Sequence, residues 1–256
     1  MSDGTVIHPT AIVEEGVTVG ANCVIHPYAI VRTGTVLGER VAVHPFAVVG
    51  GDPQDLKFDA SMRTGVRIGD GTVLREHSTV HRATSPERIT SIGANCLLMA
   101  MAHVGHDCRL GDNVVVANGA LVAGHVEVGD NAFISGNVAI HQFTRIGEGA
   151  MVGGLARISL NVPPFTLVAE RDEVIGLNIV GLRRRGVTRD SIRELKDAFR
   201  EIYFTSGNIR EVAARIVASG TFTTPEAARF LEFFAVGRRS FARPRREGVI
   251  DDAQET

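Results

Sequence analysis

Residues 92–121 read IGANCL LMAMAH VGHDCR LGDNVV VANGAL, and dividing them every six residues puts Ile92, Leu98, Val104, Leu110 and Val116 at the head of each block. The same phase continues through Val122, Val128, Ile134, Ile140, Ile146, Val152 and Ile158. Toward the N-terminus it includes Ile68, Leu74 and Val80. Before a break it runs through Ile7, Val13, Val19, Ile25, Val31, Leu37, Val43 and Val49. Four residues after each head stands a small or β-branched residue, among them Ala11, Cys23, Ala29, Ala47, Thr84, Cys96, Ala102, Cys108, Ala120 and Ala132. A period of six matches neither an amphipathic helix nor an alternating strand. It matches a solenoid whose short flat faces each supply one large and one small inward side chain.

This repeat resembles that of the hexapeptide-repeat family. The resemblance implies three faces to a coil, a left-handed parallel β-helix and a homotrimer with sites between subunits. The two runs then make about eight coils, about 38 Å tall at the spacing of parallel strands. The class is mainly β, with a C-terminal α-helical domain described below. All three cysteines, Cys23, Cys96 and Cys108, fall on the small inward position, where a free thiol serves as a compact apolar filler.

Composition agrees with strands and tight turns. Of 256 residues 28 are Gly and 44% are hydrophobic, with 12 Phe, 2 Tyr and no Trp. A net charge of −2 gives no reason to expect nucleic acid as a partner. Residues 1–10 lack a basic stretch followed by an apolar run, and no apolar stretch reaches the length of a membrane span. The expectation is a cytoplasmic protein without stable membrane insertion.

The repeat is interrupted between Val49 and Ile68, giving an inserted loop over 50–67 within a β-helix of residues 1–164. Bulging loops are where solenoids carry binding groups. A second interruption lies near 85–91, where Pro86 replaces a head residue. The repeat ends near Val162-Pro163-Pro164, followed by a connector over 165–187. Over 188–256 the grammar is helical. Thr188 caps a helix over 189–204 with Ile192, Leu195, Phe199 and Ile202 on one face. A second helix covers about 209–218. Thr224-Pro225-Glu226 caps a third, ending near 234. The segment 238–256 is polar and charged, and its end reads as a flexible tail.

His8, His26 and His44 are spaced by 18 and each precedes Pro, which marks a repeated corner of the coil. His106, His125 and His141 stand 14, 33 and 49 residues after Ile92. Removing whole coils brings them within one residue of the same spot on successive layers. His103 shares their stretch. A solvated polar corner, a metal site and a general base are all compatible with this cluster. A neutral imidazole there suits base chemistry, since its unperturbed pKa is about 6.5. No Ser or Cys stands beside a base as a nucleophile, which favours direct transfer.

The segments 53–57 (PQDLK), His81-Arg82, 102–108 (AHVGHDC), 123–126 (AGHV), His141-Gln142-Phe143 and 181–186 (GLRRRG) together resemble the UDP-N-acetylglucosamine acyltransferase family across essentially the whole chain. That family moves a 3-hydroxyacyl chain from acyl carrier protein to the sugar 3-hydroxyl, the first step of lipid A biosynthesis. The resemblance implies His106 as general base, Asp107 as its orienting partner and the Gly124 N–H as oxyanion donor. It implies substrate contacts from Gln54, Asp55, Lys57, His103, His125, His141 and Gln142, and nucleotide contacts from Asn178, Arg184 and Arg185. Lys57 is one of two lysines against 25 arginines, and an ammonium is a compact point charge for phosphate. Arg243, Arg245 and Arg246 are candidates for docking the acidic carrier protein. Gly154 matches the position that limits acyl length. An open groove there leads to an expected chain of about 12 to 14 carbons. No metal and no resident cofactor are implied, because the acyl group arrives on the carrier's phosphopantetheine. Val180 stands where some members carry a carboxylate. Relatives that acylate a 3-amino sugar, other hexapeptide acetyltransferases and a non-catalytic scaffold remain alternatives.

Overall fold

The computed structural model describes residues 4–237 and 239–244. The flexible tail expected beyond 244, with Arg245 and Arg246, lies outside the described residues. The chain winds as a left-handed parallel β-helix of three faces. One face stacks eight strands from Ile12–Val13 to Arg157–Ile158, and another stacks seven from Thr18–Val19 to Arg145–Ile146. The remaining face begins at Val6–Ile7 and carries eleven strands.

From Ile25 onward each head residue of the repeat is buried, while Ile7 at the end of the stack is 36% exposed. Leu98, Val104, Val116, Val122 and Ile134 are 0% exposed and register directly above one another, Leu98 on Val116 and Val104 on Val122. Most strands are only two residues long, because the corner that follows takes a left-handed conformation. Asn95, Asn113 and Asn131 occupy such corners with φ of 54°, 56° and 59°, as suits a short polar side chain. Tyr28, Phe46 and His77 also adopt it. There a ring ladder, with centroids 5.3 and 5.0 Å apart, offsets the strain. His26 and His44 stack at 4.5 Å, as the His-Pro corner requires. The three cysteines are buried and free.

Another corner is built from glycine because neighbouring layers leave no room for a Cβ. At Gly69 it would lie 2.5 Å from the Gly93 carbonyl carbon and 2.6 Å from the Ala94 nitrogen. Backbone cannot swing aside, so Gly69→Ala is expected to destabilise the protein by about 1–3 kcal/mol. Denaturant midpoints check this against Gly176→Ala, where nothing lies within 4 Å. Equal midpoints for the two variants would contradict the packing argument.

The β-structure continues past Pro164. Thr166–Ala169 pairs parallel with Met151–Val152 and antiparallel with Glu173–Leu177. Four α-helices follow among the described residues: α1 (Ile179–Arg184), α2 (Arg189–Phe204), α3 (Ile209–Ser219) and α4 (Pro225–Glu232). Thr188 caps α2, accepting from the Ser191 N–H at 3.2 Å. Thr224 does not cap α4 through its side chain as expected. Its hydroxyl is buried without a partner, and its N–H donates to Glu194 of α2 at 2.8 Å. The helices close on Phe199, Phe230, Phe234 and Phe241. Arg145 stacks on Phe233 at 4.3 Å and ties them to the solenoid. No helix among the described residues is long and apolar enough to cross a membrane.

Candidate active site

The face that carries His103–Val104, Leu121–Val122 and Ala139–Ile140 presents a cleft of about 950 Å³ beside its corner. Stacking turns sequence spacing into three adjacent columns. His141 stands in the column of Gly105 and Ala123. His106 stands with Gly124 and Gln142, and Asp107 with His125 and Phe143. Asp107, His125 and Phe143 take φ of 60°, 61° and 63°. His103, His106, Gly124, His141, Gln142 and Gln54 all line the cleft.

His106 is held from behind. Its Nδ1 lies 2.7 Å from Asp107 Oδ2. That carboxylate also accepts the Thr84 hydroxyl at 2.7 Å and the Thr84 N–H at 3.3 Å. The Asp107 N–H donates to Thr90 Oγ1 at 2.8 Å. Burial opposes ionisation of Asp107, but the hydrogen bonds from His106 and Thr84 outweigh it and bring the carboxyl down to about 2. With Asp107 ionised, Nδ1 of His106 carries the proton and Nε2 is left as the basic atom.

Gly124 lies against the other side of that ring. A Cβ built there would meet His106 Cε1 at 2.5 Å and Nε2 at 2.6 Å. Its N–H sits at the corner position occupied by Pro27 and Pro45 on another face. The ladder asks no donor of that position. Among the described residues, no backbone carbonyl takes the Gly124 N–H.

His103 and His81 are held toward the neutral form. Burial lowers the pKa of His103, with His106 adding. Burial pushes His81 down to about 4, with His103 and His106 adding. His81 meets His103 edge-on at 4.6 Å, and Thr79 Oγ1 lies 2.8 Å from His103 Nδ1. The ligand-type atoms of His106, Asp107 and His125 lie within 4.8 Å of one another, near enough for a metal ion. The Asp107 carboxylate there is already engaged by His106 and Thr84, and Arg88 lies 2.7 Å from the Nδ1 edge of His125.

The inserted loop is pinned by Arg82. Its guanidinium contacts Asp52 at 2.8 Å, the Met62 carbonyl at 2.6 Å and the Ala60 carbonyl at 3.0 Å, and lies over Phe58. This sets Gln54 at the cleft. Asp55 Oδ1 accepts the Lys57 N–H at 2.9 Å, and both residues are exposed outside the lining.

Five more expected residues do not join the cleft within one chain. Asn178 caps α1 and donates to the Gly149 carbonyl at 3.0 Å. Arg185 pairs with Glu148 at 3.4 Å over the Phe165 ring, and Arg184 is exposed beside it. Gly154 sits at an exposed corner of a different face, where a Cβ would meet only the Gly136 carbonyl at 3.6 Å. His125 touches Asp107 and Arg88 and is not part of the lining.

Sequence reasoning missed several residues. Thr84 was expected to point inward, yet Ala83 is the buried residue, and Thr84 turns to Asp107. The register shift at Val80/His81 and the loop that follows it shift the frame there, and Pro86 was its only signal. Arg88 carried no spacing signal, and His81, quoted with Arg82 among the resembling segments, was given no role. Arg239 was also missed: it reaches back across the fold to His141 Nδ1 at 3.2 Å.

Comparison with known proteins agrees with this fold. Residues 161–242 match the family model of UDP-N-acetylglucosamine O-acyltransferase domain 2, and 16–51 and 89–124 match that of bacterial transferase hexapeptide repeats. An acyl-(acyl-carrier-protein)–UDP-N-acetylglucosamine O-acyltransferase from Gloeothece citriformis is 41% identical over 169 residues. That alignment spans 66% of this chain and 61% of the relative's length. The solved UDP-N-acetylglucosamine acyltransferase of Campylobacter jejuni superposes with a TM-score of 0.81 at 32% identity, over 93% of this chain and all of that one. The enzyme of that name from Bacteroides fragilis gives 0.79 at 33% identity, over 94% and 98%.

Proposed function

Because this chain belongs to the UDP-N-acetylglucosamine acyltransferase family, we propose that it transfers a 3-hydroxyacyl chain from acyl carrier protein to the 3-hydroxyl of UDP-N-acetylglucosamine, the first step of lipid A biosynthesis. The observation that carries this reading is the His106–Asp107 pair, 2.7 Å apart, with the ring resting on Gly124 at the cleft wall.

His106 Nε2 takes the proton from the sugar hydroxyl as its oxygen attacks the thioester carbonyl. The new C–O bond places negative charge on the former carbonyl oxygen, where the Gly124 N–H can donate to it. Collapse breaks the C–S bond, and His106 returns its proton to the departing thiolate. Asp107 stays ionised and holds the ring. His103, His141, Gln142 and Gln54 line the space where substrate binds. Asp55 and Lys57 meet the sugar and phosphate at its rim. No metal or resident cofactor enters any of these steps.

The complete site lies between subunits of a homotrimer in this reading. Asn178, Arg184 and Arg185 hold the nucleotide from one chain, and His106 acts from its neighbour. Exposed Met101, Leu121 and Phe143 flank the cleft, as a surface covered by a neighbour would. Gly154, open toward solvent in one chain, borders the acyl groove of the assembly and admits about 12 to 14 carbons.

The decisive assay offers a series of 3-hydroxyacyl carrier-protein thioesters with UDP-N-acetylglucosamine or its 3-amino analogue, and weighs the product. We expect an ester on the natural sugar and a long-chain optimum. Exclusive amide formation would reassign the acceptor. An optimum at about ten carbons or fewer would overturn the Gly154 argument.

A further inference from the structure

The transfer step described above makes no use of Arg88, on the loop 82–89. Its Nη1 lies 2.7 Å from His125 Nδ1. A guanidinium has only N–H donors, so this imidazole nitrogen must accept and the ring proton sits on Nε2. That edge faces Asp107 Oδ2 at 3.6 Å, the oxygen already bonded to His106 Nδ1 and the Thr84 hydroxyl. The His125 ring is clamped as well: Phe143 stacks on it at 4.4 Å and 8°, and His106 meets it edge-on at 5.0 Å.

From these contacts we propose that Arg88 is a positioning residue, which locks His125 as the neutral Nε2–H tautomer and so keeps a second imidazolium from forming against the Asp107 carboxylate that His106 uses. The proposal rests on the reading of His106 as the base. The charged and titratable groups facing His125 are Arg88 from its loop, His106 and Asp107 from the preceding coil, and Asp55 from the inserted loop; Phe143 on the next coil is neutral. Burial lowers its proton affinity most, with His106 and Arg88 adding and Asp107 and Asp55 opposing.

Removing the guanidinium frees Nδ1 to bind a proton and removes a repelling charge, so His125 becomes cationic at higher pH than before. The imidazolium then competes with His106 for Asp107, and activity is lost on the acid side. Arg88 is exposed, so its replacement leaves folding intact.

The test uses the full-length protein labelled with ¹⁵N-histidine, with His125 assigned through His125→Gln. Imidazole ¹⁵N–¹H spectra are followed from about pH 5 to 8, alongside the pH profile of acyl transfer. In the parent protein Nδ1 of His125 should stay unprotonated to lower pH than in the variant. In Arg88→Ala it should titrate. The acid limb of kcat/KM should move up by about one pH unit, a tenfold loss well below the midpoint. Arg88→Lys, which keeps a donor-only cation, should restore the tautomer and the acid limb. An Arg88→Ala protein with the parent's His125 spectrum and a superimposable pH profile would overturn the proposal. A parent protein that transfers no acyl group would instead overturn the functional reading, while leaving the His125 spectra to decide the tautomer.

Discussion

His106→Ala is expected to lower kcat/KM for acyl transfer by about 100- to 10,000-fold, the range associated with a positioned general base. That corresponds to about 3–5 kcal/mol of lost transition-state stabilisation. Folding should be little affected. Asp107 keeps both donors from Thr84, its hydroxyl at 2.7 Å and its N–H at 3.3 Å, so the buried carboxylate is not left unpaired. The measurement is steady-state transfer together with the thermal midpoint. Undiminished transfer by a folded variant would remove His106 from the mechanism and bring back the scaffold reading.

Gly124→Ala should be nearly as damaging, for a reason the backbone alone does not supply. Gly124 is not among the residues with positive φ, so alanine meets no conformational strain there. The obstacle is the ring: a Cβ would lie 2.5 Å from His106 Cε1. The imidazole must swing away, lengthening its 2.7 Å contact with Asp107. A misplacement of about 1 Å costs roughly 100-fold in rate, so we expect a loss of about that size or more in kcat/KM with a small change in stability. The Gly124→Ala change should add little in a His106→Ala background, since the two act through one ring. Full additivity would mean that glycine serves some purpose independent of the base.

The solenoid was legible because its inward positions repeat strictly. One Val or Ile at the wrong phase would put an apolar side chain outside and a polar one in the core. The three helices from 189 onward were legible from caps and apolar stripes, to within a residue or two. The segment after Pro164 was not, because the pairing of Thr166–Ala169 with Met151–Val152 is a tertiary contact outside the six-residue frame. At the site, His106 and Asp107 were legible as neighbours in sequence. Thr84 was misplaced because the frame slips in its loop. Arg88 left no trace at all, since a single exposed arginine has no period and no fixed partner.

The sequence by itself determined the coil and the layering of its histidines. A fixed number of residues per coil makes position in the chain equivalent to height and face in space. What only the tertiary structure decided is which side chains meet around those histidines. Arg88 comes to His125 from 37 residues away and Arg239 to His141 from 98 away. Both arise where loops leave the repeat and where the helical region folds back upon it. There, three-dimensional packing rather than spacing sets the neighbours, and with them the tautomer each ring must adopt.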